Sequence, residues 1–190
     1  MAKAEIYQIK VTLKGVRPPI WRRIQVSSNT SLAHFHDILQ VTMGWLGGHL
    51  HMFTASGESY SSAPFYDPDP SFLQELGAKD GNHVKLNKLV AGEDYKMLYE
   101  YDFGDGWEHV VLVEKILPMT PDAKLPVCIK GKRACPPEDV GGTWGYEEFL
   151  EAIKDPNHPE HEMYAEWLDN DFDPEVFDKD VVNTMLQGAE

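Results

Sequence analysis

Lys96-Met97-Leu98-Tyr99-Glu100-Tyr101-Asp102 and Trp107-Glu108-His109-Val110-Val111-Leu112-Val113 flank the tetrapeptide Phe103-Gly104-Asp105-Gly106, and this stretch decides the fold. Aromatic and β-branched residues suit a pleated, half-buried surface. The two glycines and Asp105 supply the backbone angles of a tight turn. The stretch therefore reads as an antiparallel hairpin, with strands over 96–102 and 107–117. Upstream, Glu5 to Leu13 alternates as a strand with one wet face, Arg17-Pro18-Pro19 breaks it, and Ile20 to Val26 forms another. Ser27 to Ser31 offers turn and cap oxygens. Leu32, Phe35, Ile38, Leu39, Thr42 and Met43 then recur at helical spacing, which predicts an amphipathic helix over 31–43.

Beyond Gly47-Gly48, His49 to Ala55 reads as a strand ending at the turn Ser56-Gly57. Residues 60–82 read as a long loop with one helical turn near Phe72 to Leu76. Val84 to Val90 is short and fits either regular element. After Pro118 a proline-rich link leads to helices at about 145–154, 159–168 and 175–187. Strands early and helices late predict an α+β fold: a mainly antiparallel sheet, an early amphipathic helix and a C-terminal group of helices. Residues 1–190 suit a single domain, with a sheet-rich core over 1–144 and an acidic helical part over 145–190.

The net charge of −14 is uneven, being −2 over residues 1–130 and −12 over 131–190. An acidic C-terminal third opposes direct nucleic-acid binding, which depends on positive charge and counterion release. No apolar run approaches the length that spans a bilayer. Two cysteines do not make a secreted disulfide framework, so the expected compartment is the cytoplasm.

Three runs carry a resemblance. They are Trp21-Arg22-Arg23-Ile24 with Leu32 to His36, Gln40, Gly44-Trp45 and His49-Leu50-His51-x-Phe53; then Tyr101 to His109; then Cys135-Pro136-Pro137-Glu138-Asp139-Val140-Gly141-Gly142 with Gly145-Tyr146. Together they resemble the Ri-plasmid open-reading-frame-3-like family, over nearly the whole chain and in order. The resemblance implies an α+β domain found in plasmids, mobile-element neighbourhoods and microbial chromosomes. It brings no activity, substrate or catalytic residues. His36, Trp45, Trp107 and Tyr146, which lie within these runs, are the expected binding side chains.

Asp102-Phe103-Gly104 spells a kinase magnesium motif but lies in a hairpin turn, with no phosphate loop or catalytic loop before it. Asp169-x-Asp171-x-Asp173 lacks the glycine and the bidentate glutamate of a calcium loop. His49 and His51, two apart on a strand, would share one face and could reach one ion. On a helix, His34 and His36 point apart, so at most one joins a site. The hairpin offers Asp102, Asp105 and His109 as metal ligands or an acid/base pair, with Glu138 and Asp139 as further catalytic candidates. If Gly131-Lys132 were the centre of a type II′ turn, Cys128 would oppose Cys135, close enough for a disulfide or for two thiolates on one metal. His49, His51, His109, Cys128 and Cys135 are thus the candidate ligands of a divalent transition metal, zinc being the expected one.

These residues specify no reaction. The expected function is a binding or accessory module whose polar cleft takes a small ligand or a partner protein. A metal-dependent hydrolase-like enzyme is the alternative, and an acidic module docking a basic protein the second alternative.

Overall fold

The computed structural model describes residues 4–62, 70–167 and 172–188. Eight strands, β1 (Glu5–Leu13), β2 (Trp21–Ser27), β3 (His51–Ala55), β4 (Glu58–Ser61), β5 (Lys79–Asp80), β6 (Lys96–Tyr101), β7 (Trp107–Pro118) and β8 (Val127–Lys132), form one sheet. Its order is β5-β4-β3-β6-β7-β1-β2-β8. Only the β4–β5 pair is parallel. The helices are α1 (Leu32–Met43), α2 (Pro70–Glu75), α3 (Leu86–Leu89), α4 (Gly142–Lys154), α5 (His161–Trp167) and α6 (Lys179–Gly188). The α+β class and the mainly antiparallel sheet stand as expected. Among the described residues, no helix is long and apolar enough to cross a membrane.

Period-two patterning makes the sheet one-sided. Ile9, Val11 and Leu13 of β1, Ile24 and Val26 of β2, and Val111 and Val113 of β7 are buried on one face. The opposite face carries a polar ladder in which Arg23 donates two bonds to Glu114, at 2.6 and 2.7 Å. The buried face lies under α1, whose Leu32, Phe35, Ile38, Leu39 and Met43 belong to the same core. Ser31 caps that helix as its spacing predicts, its hydroxyl accepting from the His34 amide at 3.2 Å. The hairpin also forms as read, with Tyr101 opposite Trp107.

Four expectations change. β3 starts at His51, so His49 lies in the preceding loop and does not share a strand face with it. Residues 127–132 run as one continuous strand along β2, with Cys128 beside Ile24 and the register shifted by a bulge at Ile129, and no turn forms at Gly131-Lys132. Cys128 and Cys135 are both unbonded, so the disulfide is not formed. Gly131 is needed for another reason: a Cβ there would overlap the Phe177 ring. The expected loop over 60–82 carries its helical turn as α2, close to the expected place, but it also holds β5 and begins on the end of β4. The first late helix starts at Gly142, not at residue 145, and the last spans Lys179–Gly188. Asp169 and Asp171 of the rejected calcium-loop pattern lie outside the described residues.

Candidate functional site

Three segments far apart in sequence meet above the β6–β7 turn. Asp102 leaves β6 with a left-handed φ of 54°. Its amide donates to Leu50 O at 2.8 Å, and its Oδ1 accepts from the Gly104 amide at 2.9 Å. This side-chain-to-backbone bond explains an aspartate at that position, since it mimics a backbone turn. Asp105 reaches the third segment, its Oδ2 accepting from the Gly141 amide at 3.1 Å. Gly142 packs so closely there that an added Cβ would stand 2.5 Å from Asp105 O. The same segment is tied to the end of α1. Trp45 Nε1 donates to Pro136 O at 3.0 Å, and the Leu46 amide donates to Glu138 Oε1 at 2.8 Å. Tyr101 adds its hydroxyl to Glu138 Oε1 at 3.0 Å.

These ties gather carboxylates around one imidazole. His49 Nδ1 lies 3.7 Å from Asp102 Oδ2, while its Nε2 lies 3.2 Å from Asp139 Oδ1 and 3.9 Å from Glu138 Oε2. One ligand atom each from His49, Asp102 and Asp139 fall within 4.8 Å of one another. The Asp102 side chain is only 10% exposed and that of Asp139 72%, so the group runs from the protein wall into solvent. Asp102 Oδ2 has no hydrogen-bond donor among the described residues. Among the described residues, no lysine or arginine pairs with these three carboxylates.

A second polar group adjoins through Tyr101, whose ring lies 5.8 Å from that of His49 and 6.2 Å from that of His36. His36 stacks on His51, with ring centroids 3.7 Å apart and an interplanar angle of 11°. The hydrogen bonds fix the His36 tautomer. Gln40 Oε1 accepts from the Gly47 amide at 2.9 Å, so its Nε2 donates to Tyr99 Oη at 2.8 Å. The Tyr99 proton then goes to His36 Nδ1, also at 2.8 Å, which leaves the proton of neutral His36 on Nε2. Burial pushes His36 down to about 4. Burial, and then the neighbouring His36, push His51 down to about 3. Both rings are neutral at physiological pH, which lets two imidazoles stack without charge repulsion.

The other candidates divide. His109 is fully buried, with Nδ1 bonded to Tyr99 O at 3.2 Å and its ring edge-on to Trp45 at 5.3 Å. Burial pushes it down to about 4. Trp45 and Trp107 belong to the same buried aromatic group, their rings tilted by 32° with centroids 6.0 Å apart, and Tyr146 packs against Phe149. Cys128 and Cys135 are not among the side chains within ligand distance of His49. Burial raises both thiols, which keeps them protonated. His34 faces solvent beside Asp37, while His36 points inward, as their helical offset requires.

The family model described as plasmid pRiA4b ORF-3-like protein matches residues 5–181. The chain belongs to this family. An uncharacterized protein, y4hQ of Sinorhizobium fredii, is 37% identical over 172 residues, covering 90% of this chain and 84% of that one. The crystal structure of MM3350 from Methanosarcina mazei Go1, a protein of unknown function, is 38% identical and aligns with a TM-score of 0.83, covering 94% of this chain and 98% of that one. These ORF-3-like relatives carry no stated activity.

In this ORF-3-like chain the three sequence runs are the three segments that converge. Sequence reasoning missed Tyr99, Tyr101 and Gln40 as parts of the site. Gln40 did leave a signal, being a polar residue on the helix face that buries Phe35, Leu39 and Met43. A buried amide needs partners, and here they are Tyr99 and Gly47.

Proposed function

We propose that this protein is a binding module whose working site is a divalent-cation centre formed by His49, Asp102 and Asp139, with Glu138 alongside. One observation carries the reading: three carboxylates share a single imidazole, and among the described residues none is neutralised by lysine or arginine. Some acids elsewhere are paired, as Glu114 with Arg23 and Glu175 with Arg133; what sets this corner apart is that its carboxylates converge on one imidazole. Like charges held together are costly without a counter-charge, and a dication supplies it. A mixed nitrogen and oxygen set suits a first-row divalent ion such as Mn²⁺ or Zn²⁺. Three protein ligands leave coordination positions for water or a ligand.

The binding reading stands ahead of a hydrolase, because a hydrolase also needs a base. Glu138, oriented by Tyr101 and the Leu46 amide, is the residue that would act as one. The two unbonded thiols suit a reducing compartment, and we place the protein in the cytoplasm. Titration of chelator-treated, untagged protein with Mn²⁺ or Zn²⁺ tests the centre. The expected result is one site per chain, weakened at least about tenfold by Asp102→Asn or His49→Ala. Equal affinity in wild type and both variants would remove the reading.

A further inference from the structure

Arg22 sits on the inward face of β2 and is 1% exposed. A guanidinium carries five N–H donors. Here Nε donates to Thr42 O at 2.7 Å, and Nη1 donates to Trp21 O and Lys132 O at 3.0 Å each. Among the described residues, Nη2 has no acceptor. The Phe177 ring centroid lies 3.9 Å from the guanidinium carbon, covering one flat side. No carboxylate pairs with Arg22, although Arg23 and Arg133 each hold a glutamate. Desolvation by burial lowers its pKa, a sign of a cation short of compensation.

Arg22 also lines a groove of about 420 Å³ between the end of α1, the Cys135–Pro137 segment and α6. Its other walls are mostly apolar and include Met43, Pro136, Pro137, Phe172, Phe177 and Val181. That volume lies within the range of small-ligand pockets, which are apolar with a few placed polar groups. Asp178, the acid on this wall, has its Oδ1 taken by the Asp180 and Val181 amides at 2.8 and 3.2 Å.

We propose that this groove binds a monocarboxylic acid with an apolar tail, its carboxylate accepting from Arg22 Nη2 and its tail lying along Pro136, Pro137 and α6. One buried guanidinium matches one carboxylate in charge and in fork geometry. A dianionic phosphate would need further cations, and a chain of net charge −14 disfavours it. The tail replaces water on the apolar walls. This site is independent of the His49 centre.

Decanoate, decanol and decyltrimethylammonium share a chain and differ in charge, so calorimetric titration of the intact protein with each separates charge from tail. Decanoate is expected to bind at least about tenfold more tightly than decanol, with no binding of the ammonium. Val181 is half exposed, so Val181→Trp fills the groove without touching the core and is expected to weaken decanoate at least about tenfold. Asp102→Asn is expected to leave decanoate binding unchanged. Decanol binding as well as decanoate, Val181→Trp without effect, or no binding by any of the three overturns the proposal.

Discussion

At the His49 corner three carboxylates share one imidazole, whereas at the Arg22 corner one guanidinium has no carboxylate at all. The two imbalances are opposite in sign and differ in depth. Arg22 is almost sealed, and its charge is met by three carbonyl oxygens and an aromatic face, one of the carbonyls in the last turn of α1. Carbonyls at a helix C-terminus attract cations, so the backbone itself supplies much of the compensation. The carboxylates open onto water, with Asp139 largely exposed. Their counter-charge can come and go. Depth therefore separates a cation reached only through the groove beside α6 from carboxylates that open directly onto water.

The largest break in that contrast is at Arg22. Arg22→Ala would remove the side-chain donor from three carbonyls, the Thr42 one in a buried bond and the other two part-buried, and empty the space beneath Phe177, costing about 3–5 kcal/mol in chemical denaturation. A loss below about 1 kcal/mol would mean that the guanidinium is not structural.

Acid tests the second difference. His36, His51 and His109 have folded-state pKa values near 4, 3 and 4, below the ordinary 6.5. Between those values and 6.5 the unfolded chain binds more protons, so stability falls as pH drops below about 6.5 and levels off only under the folded values. The expected loss is on the order of 1–2 kcal/mol per imidazole by pH 5, read from urea midpoints across the range. Unchanged midpoints from pH 7 to 5 would contradict the burial of these rings.

Asp139→Asn should produce the smallest change in fold. The side chain is exposed, and asparagine tolerates its left-handed φ of 58°. Stability should shift by less than about 0.5 kcal/mol while Mn²⁺ affinity drops, an outcome seen only if the carboxylate serves a solute. A matching fall in stability would return Asp139 to the scaffold.

Local chemistry made much of this legible. The Tyr101–Trp107 hairpin and the Ser31-capped α1 depend on residues within a few positions of one another, and both were read closely. The positions that failed depend on distant partners. Gly131 resembled a turn residue, but it is required by Phe177, which packs on it from the far end of the chain. His49 seemed to share a strand with His51 because the amide of Asp102 holding Leu50 O cannot be seen along the chain. Asp102, Asp139 and His49 were each candidates singly. Their grouping rests on the close approach of Gly142 to Asp105, which spacing does not encode. Arg22 stood out in sequence as part of the run Trp21-Arg22-Arg23-Ile24 and not as a site residue, because a guanidinium compensated by backbone leaves no pattern in sequence.

The strand order has a bearing on how the protein comes into being. β1 lies between β2, its near neighbour in the chain, and β7, where Glu5 meets Pro118. A growing polypeptide can make the first hairpin early, yet its other flank stays bare until a segment about a hundred positions later has been synthesised, and pairing across such separations is slow. Asp139 is translated later still. Nascent chains that stop short of Asp139 lack one carboxylate of the proposed centre.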